Sequence, residues 1–194
     1  MKSKILLALV AVVVLVAIWA VIAYNNFVRL EETVSTKFHD LETCYQERLD
    51  LIPNLVEIVK GSASHEKDVL KEVMEARSKV ASIQIDPSNI TPEQLAEYQK
   101  AQAGVSSAIG RLIAVAENYP NLKANEAFML LQHQCEGIEN RIRVARIAYN
   151  DVVKSYNIAI RIFPNNILAS IMGMERKLQF EADEGAEKAP KVNF

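Results

Sequence analysis

The chain opens on an unbroken apolar run and then settles into apolar positions three and four apart, the period of a helix with one buried face. Residues 5–23, ILLALVAVVVLVAIWAVIA, are 19 consecutive apolar positions. As a helix rising about 1.5 Å per residue they span roughly 28 Å, close to the hydrocarbon thickness of a bilayer. A cleaved leader is the rival expectation, because Lys2 and Lys4 precede the run and Val21-Ile22-Ala23 would suit a peptidase. A leader core holds about 7 to 15 apolar residues. This run is longer, with Trp19 and Tyr24 where interfacial aromatics belong, so residues 1–23 are expected to stay as a transmembrane anchor. Lys2 and Lys4 before the span, against Arg29 and Lys37 after it, favour an extracytoplasmic body.

Beyond Ala23 no proline or glycine interrupts the chain until Pro53 and Gly61, so the anchor is expected to run on into the next helix. Val34, Phe38, Leu41, Tyr45, Ile52, Leu55 and Val59 form its inward stripe, and Arg48 falls on an inward position. Pro53 must kink or split this helix, and Gly61-Ser62-Ala63-Ser64 should end it. A second helix carries Val69, Val73, Ala76, Val80 and Ile83 inward and stops near Asp86-Pro87. Thr91-Pro92-Glu93-Gln94 starts a third: Thr91 can accept from exposed backbone donors, Pro92 suits the first helical position, and Gln94 can reach back. Its stripe is Leu95, Tyr98, Val105, Ile109, Leu112, Ala116 and Tyr119, with Gln102 the polar member. The last long helix runs from Phe128 through Leu131, Cys135, Ile138, Ile142, Ala145, Tyr149, Val152, Tyr156 and Ala159 to Phe163, ending at Pro164.

No period-two segment bounded by hairpin turns occurs, so the expected fold is all-α: an N-terminal transmembrane helix followed by an antiparallel up-and-down four-helix bundle. The bundle is expected over residues 24–180, with a short helix within 165–180, and the polar segment 181–194, EADEGAEKAPKVNF, as a flexible tail.

Composition narrows the functional classes. With 22 Lys and Arg against 24 Asp and Glu, the chain has no basic excess to hold a polyanion, and no nucleic-acid partner is expected. Cys44 and Cys135 lie 91 positions apart without a CxxC, which suits neither a disulfide scaffold nor structural zinc and leaves their pairing open. Cys135 sits at an inward position, where a thiol acts as a small hydrophobe. His65-Glu66 would open a zinc-protease motif, but the second histidine that HExxH requires is replaced by Val69. No nucleophile elbow, phosphate loop or dinucleotide fingerprint occurs, so no catalytic residue, cofactor or metal is expected.

The polar residues on or beside the inward stripes are the candidates for a role: Arg48, Asn54, Arg77, Glu117, Glu139, Arg146, Asn150 and Asn157. An unpaired buried ion costs several kcal/mol, so this set is expected to form a satisfied network that fixes helix register. Tyr149-Asn150 and Tyr156-Asn157 repeat one pair seven residues apart on one face. Tyr149 and Tyr156 are expected either as core or as an interaction face for a partner helix, with amides and hydroxyls choosing the pairing.

RLDLIPNLV at 48–56, His65-Glu66, Ala76-Arg77, AENYPNL at 116–122, ARIAYN and SYN within 139–157, and the ending APKVNF resemble the LemA family of bacterial membrane proteins along nearly the whole chain. The resemblance implies a single-pass anchor in the bacterial cytoplasmic membrane and a four-helix body, in a family without an established biochemical activity. Some of its members occur in magnetosome membranes, and others are encoded beside a membrane metalloprotease. The expected role is a non-enzymatic, membrane-anchored interaction or scaffold protein of the envelope, with protein partners or self-association. The alternative is an accessory or regulatory subunit of a membrane proteolytic system.

Overall fold

The computed structural model describes residues 2–63, 65–87 and 89–181. These residues are helical without a strand among them, in the order α1 (Lys2–Ser62), α2 (Lys67–Ala81), α3 (Pro92–Ala116), α4 (Pro120–Lys123), α5 (Glu126–Ala159) and α6 (Asn165–Ile171). The all-α expectation holds. The tail expected at 181–194 lies outside the described residues beyond Glu181.

The chain divides into two compact units, and α1 and α5 contribute to both. The larger takes in residues 39–147 together with Phe180 and Glu181. Its core is built from Leu49, Ile52, Leu55 and Val59 of α1, Leu70, Val73 and Val80 of α2, Val105, Ile109 and Leu112 of α3, and Phe128 and Leu131 of α5. Cross-helix pairs give the directions. Glu66 meets Tyr119 and Glu72 meets Arg111, so α2 and α3 run antiparallel. Glu47 meets Arg141 and Tyr45 meets Arg146, so α1 and α5 do too. Tyr45 with Tyr98, and Arg48 with Gln102 and Ser106, make α1 and α3 parallel. Up, down, up, down is what the short connections require of four neighbouring helices.

The local start and stop chemistry follows from the sequence. Thr91 and Gln94 form the reciprocal box, with Gln94 N donating to Thr91 Oγ1 at 3.2 Å and Thr91 N to Gln94 Oε1 at 3.0 Å. Asn125 Oδ1 accepts from Phe128 N at 3.1 Å and caps the start of α5. Pro53 does not split α1, which continues to Ser62.

The smaller unit takes in residues 2–38 and Ala148–Gln179. Ala23, Phe27, Val34 and Phe38 of α1 are buried in it, as are Tyr149, Val153, Tyr156 and Ile160 of the chain entering and leaving the end of α5. The Phe38 and Tyr149 rings meet edge to face with centroids 5.7 Å apart. From Lys2 to Val21 no side chain of α1 is buried, and this stretch is long and apolar enough to cross a membrane.

In α2 Leu70 is buried, and Val69 beside it packs half-buried against the same core. Two stripe assignments are corrected, both on the last long helix. Along α5 the seam moves from Val152 to Val153, the drift expected when a straight helix carries a seven-residue repeat. Phe163 is 80% exposed because α5 ends at Ala159, before the heptad phase can bring it inward. The short helix expected within 165–180 is present as α6, Asn165–Ile171. It closes on Gly173, whose φ of 66° only glycine adopts freely. Met174 N donates to Ala169 O at 2.9 Å and Gly173 N to Ser170 O at 3.3 Å, the paired bonds of a Schellman stop. The chain then continues without helical structure from 174 to 181.

Candidate functional site

Arg48 lies inside the larger unit at 2% exposure, a placement a guanidinium tolerates only with partners on its donors. Its Nη1 donates to Glu139 Oε1 at 2.8 Å and to Ser106 Oγ at 2.5 Å, and its Nη2 to Gln102 O at 3.2 Å and to Gln102 Oε1. Ser106 Oγ donates in turn to Glu139 Oε1 at 3.0 Å, so both roles of that hydroxyl are used inside the network. The guanidinium carbon stands 5.3 Å from the centroid of Tyr45, whose hydroxyl accepts from Arg146 Nη2 at 3.1 Å. One buried cation thereby ties α1 to α3 and α5. The Glu139 side chain is 43% exposed, so its end of the ion pair reaches water in a cleft shared with Arg143 and Arg146.

Pro53 removes the N–H that would bond the carbonyl of Leu49 one turn back. Arg77 Nε of α2 donates to that carbonyl at 3.2 Å. In the same unit Tyr119 donates its hydroxyl to Glu66 Oε1 at 2.9 Å, an acceptor that raises the phenol's pKa. The segments carrying the family resemblance are thus one another's partners: 48–56 with Ala76-Arg77, and His65-Glu66 with 116–122.

In the smaller unit Asn157, 7% exposed, grips the backbone of Lys177 from both sides. Its Nδ2 donates to Lys177 O at 2.8 Å and its Oδ1 accepts from Lys177 N at 2.9 Å. Tyr149 donates its hydroxyl to Leu178 O at 3.0 Å, and Gln179 Nε2 donates to Asn150 O at 2.9 Å. Lys177 Nζ pairs with Glu31 of α1 at 2.8 Å and lies 5.9 Å from the Tyr156 ring centroid. Tyr149 and Tyr156, expected as core or as a face for a partner helix, are each 1% exposed; residues 177–179 of the same chain occupy that face.

Of the eight polar candidates, the structure joins Arg48 with Glu139, sets Arg146 one tyrosine away, and gives Arg77 and Asn157 to backbone groups elsewhere. Asn150 contributes its carbonyl, and Asn54 and Glu117 are exposed on the surface. Sequence reasoning missed Ser106, whose place one turn after inward Gln102 was a usable sign. It also missed Lys177, which sits in a segment without periodicity.

Burial raises the pKa of each interior phenol and thiol. Tyr149 and Tyr156 are pushed up to about 12 by desolvation, joined at Tyr156 by Glu31. Tyr98 and Tyr45 also rise through burial, a rise that nearby Arg146 partly offsets at Tyr45. The Cys135 thiol goes up to about 11 by burial and then by Glu139, which disfavours the thiolate a nucleophile needs. Cys44 and Cys135 are both free thiols. His39 stands 3.2 Å from Glu42 on an exposed turn, and His133 stands 3.6 Å from Glu136 on another. Among the described residues no cluster of His, Cys, Asp or Glu has the makings of a metal site.

An exposed apolar N-terminal helix, all-helical packing and polar groups spent on tying helices together define a membrane-associated helical protein. The LemA family model matches residues 37–194, and the chain belongs to that family. It is similar to magnetosome proteins MamQ 1 and MamQ 2 of Paramagnetospirillum magneticum, 29% identical to each over 175 residues, which covers 81% of this chain and 64% of each relative. This chain therefore spans a little under two-thirds of their length. It is also similar to the protein LemA of Metamycoplasma hominis, 23% identical over 160 residues, covering 82% of this chain and 69% of that one.

Proposed function

We propose that this chain is a single-pass, membrane-anchored scaffold of the bacterial envelope that works by binding other proteins and carries out no chemistry of its own. In this reading residues 1–23 are the anchor, 24–180 the helical body and 181–194 a tail, with the body outside the cytoplasmic membrane. The observation that carries it is a division of labour on α5. Its inner face is committed to the core and to the Arg48 network, while Leu130, Val144 and Ile147 stand 59%, 58% and 57% exposed on its outer face. Leu130, Gly137 and Val144 are seven apart, hence on one side of the helix. A cleft of about 530 Å³ opens beside Gly137 between Leu51 and Ile138, rimmed by the Glu47–Arg141 pair at 2.6 Å. Such a surface suits a partner helix that sets an apolar ridge against Gly137 and meets charge at the rim. The membrane-associated family and the relatives named as magnetosome proteins support the same reading.

The test is a photo-crosslinking residue placed at Leu130 or Val144 of the full chain in native membranes, with adducts identified by mass spectrometry. The expected result is a discrete protein adduct at both positions and none at exposed Lys100. Capture of a protease subunit would direct the scaffold to a proteolytic system, whereas a ladder of the chain itself would make it a self-assembling one. Absence of adducts from both positions would overturn the proposal.

A further inference from the structure

The smaller unit carries a second apolar surface, at the corner where α5 gives way to α6. Ile158, Ile162, Phe163, Ile167, Ile171 and Met172 are all at least half exposed, with Phe163 at 80% and Ile171 at 74%. Between them Leu168 and Ala169 turn inward, so α6 lies with one flank on the protein and the other uncovered. A soluble domain seldom gathers this much exposed aliphatic and aromatic surface in one corner.

The pairing of α1 with α5 fixes the height of that corner. Phe38 meets Tyr149, and seven residues further along each helix Glu31 meets the Lys177–Tyr156 pair. Antiparallel helices with the same rise keep this register, which carries the end of α5 toward residues 27 and 28 and the following turn toward residue 24. That level is where the apolar run 5–23 ends, marked by Trp19 and Tyr24. Burial agrees: Phe27 is fully buried and Ala23 6% exposed, and Trp19 is already half-covered.

We infer that the α5–α6 corner is a second membrane contact, in which Phe163, Ile167 and Ile171 enter the headgroup and upper acyl region of the same bilayer that holds residues 5–23. This rests on reading residues 5–23 as a span. The occupant is lipid because the register sets this exposed apolar corner at the level where the apolar run of α1 ends. Arg161, exposed among these side chains, supplies a cation at headgroup height, as interfacial segments do. With α1 crossing the bilayer and the corner lying on it, the smaller unit is held at two points.

Tryptophan quenching by lipids brominated near the headgroup tests this with the full chain in phosphatidylcholine vesicles containing phosphatidylglycerol. Trp19 is the sole tryptophan and reports insertion of the span. In a Trp19→Phe background, Phe163→Trp and Ile171→Trp report the corner, and Asp151→Trp reports an exposed α5 position that pairs with the level of Thr36, roughly 20 Å beyond Ala23. The expected result is strong quenching of Trp19 and of the Phe163→Trp and Ile171→Trp variants, several-fold above that of Asp151→Trp. If Trp19 is quenched but the corner variants match Asp151→Trp, the second contact is overturned and the span stands. Corner emission that is blue-shifted yet unquenched would mean that protein covers the corner, and would overturn the lipid assignment. An unquenched Trp19 would remove the span and the inference together.

Discussion

Arg77 donates from Nε to the carbonyl of Leu49 at 3.2 Å, the carbonyl that Pro53 leaves without its helical donor. A proline in the middle of a helix normally costs about 3 kcal/mol or more, part of it from the lost hydrogen bond. Leu49 is 5% exposed, so water cannot easily replace the missing donor. A side chain of the neighbouring helix does so instead, and α1 continues to Ser62.

Arg77→Met keeps much of the aliphatic stem and removes the donor, and is expected to lower stability by about 1–3 kcal/mol, the cost of a buried unsatisfied carbonyl. Pro53→Ala returns the backbone N–H, so the double variant should recover much of that loss. Urea unfolding of the two single variants and the double variant measures the coupling. Additive effects would show that the Arg77 bond does not serve the proline.

Arg48→Ala strips Gln102, Ser106 and Glu139 of a shared donor and leaves a void beside Tyr45. A loss of about 3 kcal/mol is expected, while Arg29→Ala, on an exposed position, should stay within about 0.5 kcal/mol. Thermal melts of the two variants in the same detergent decide this, and equal midpoints would count against the network.

Asn157→Ala removes both bonds to the Lys177 backbone. At about 1 kcal/mol per bond the segment 174–179 should loosen while the helices persist. Trypsin is expected to cut faster after Arg176 and Lys177 in the variant, with an unchanged helical circular dichroism spectrum. Gly173→Ala, which strains a φ of 66°, should produce the same cleavage pattern.

Alkaline pH supplies a further test. Tyr149 and Tyr156 have folded pKa values of about 12 against 10.0 for the free phenol. The stability this represents is complete below pH 10 and is lost as pH rises through the folded values, because the unfolded chain releases those protons first. Loss of helix signal should therefore coincide with tyrosinate absorbance between about pH 10 and 12. The signal of the two rings is the difference from a Tyr149→Phe, Tyr156→Phe double variant, since the chain holds six tyrosines. A difference absorbance complete at about pH 10 with the helices intact would argue against their burial.

Periodicity alone made the helices, the N-terminal apolar run and most of the core legible, because burying one face of a helix imposes a repeat that local sequence must carry. Capping was legible for the same reason: Thr91 and Gln94 are three residues apart and need nothing else. The inward placement of Arg48 could be seen, and from it the need for partners. Which groups would answer was not local information. Glu139 is 91 positions away from Arg48, and nothing near Pro53 points to Arg77. The end of α5 was misjudged because Phe163 continues the heptad count after the helix has stopped. Residues 174–179 have no period at all, so only tertiary contacts could seat them against Tyr149 and Asn157. Spacing along the chain dictated what had to be buried. Which polar groups meet was left to packing, since hydrogen bonds across helices depend on register and distance that no single segment encodes.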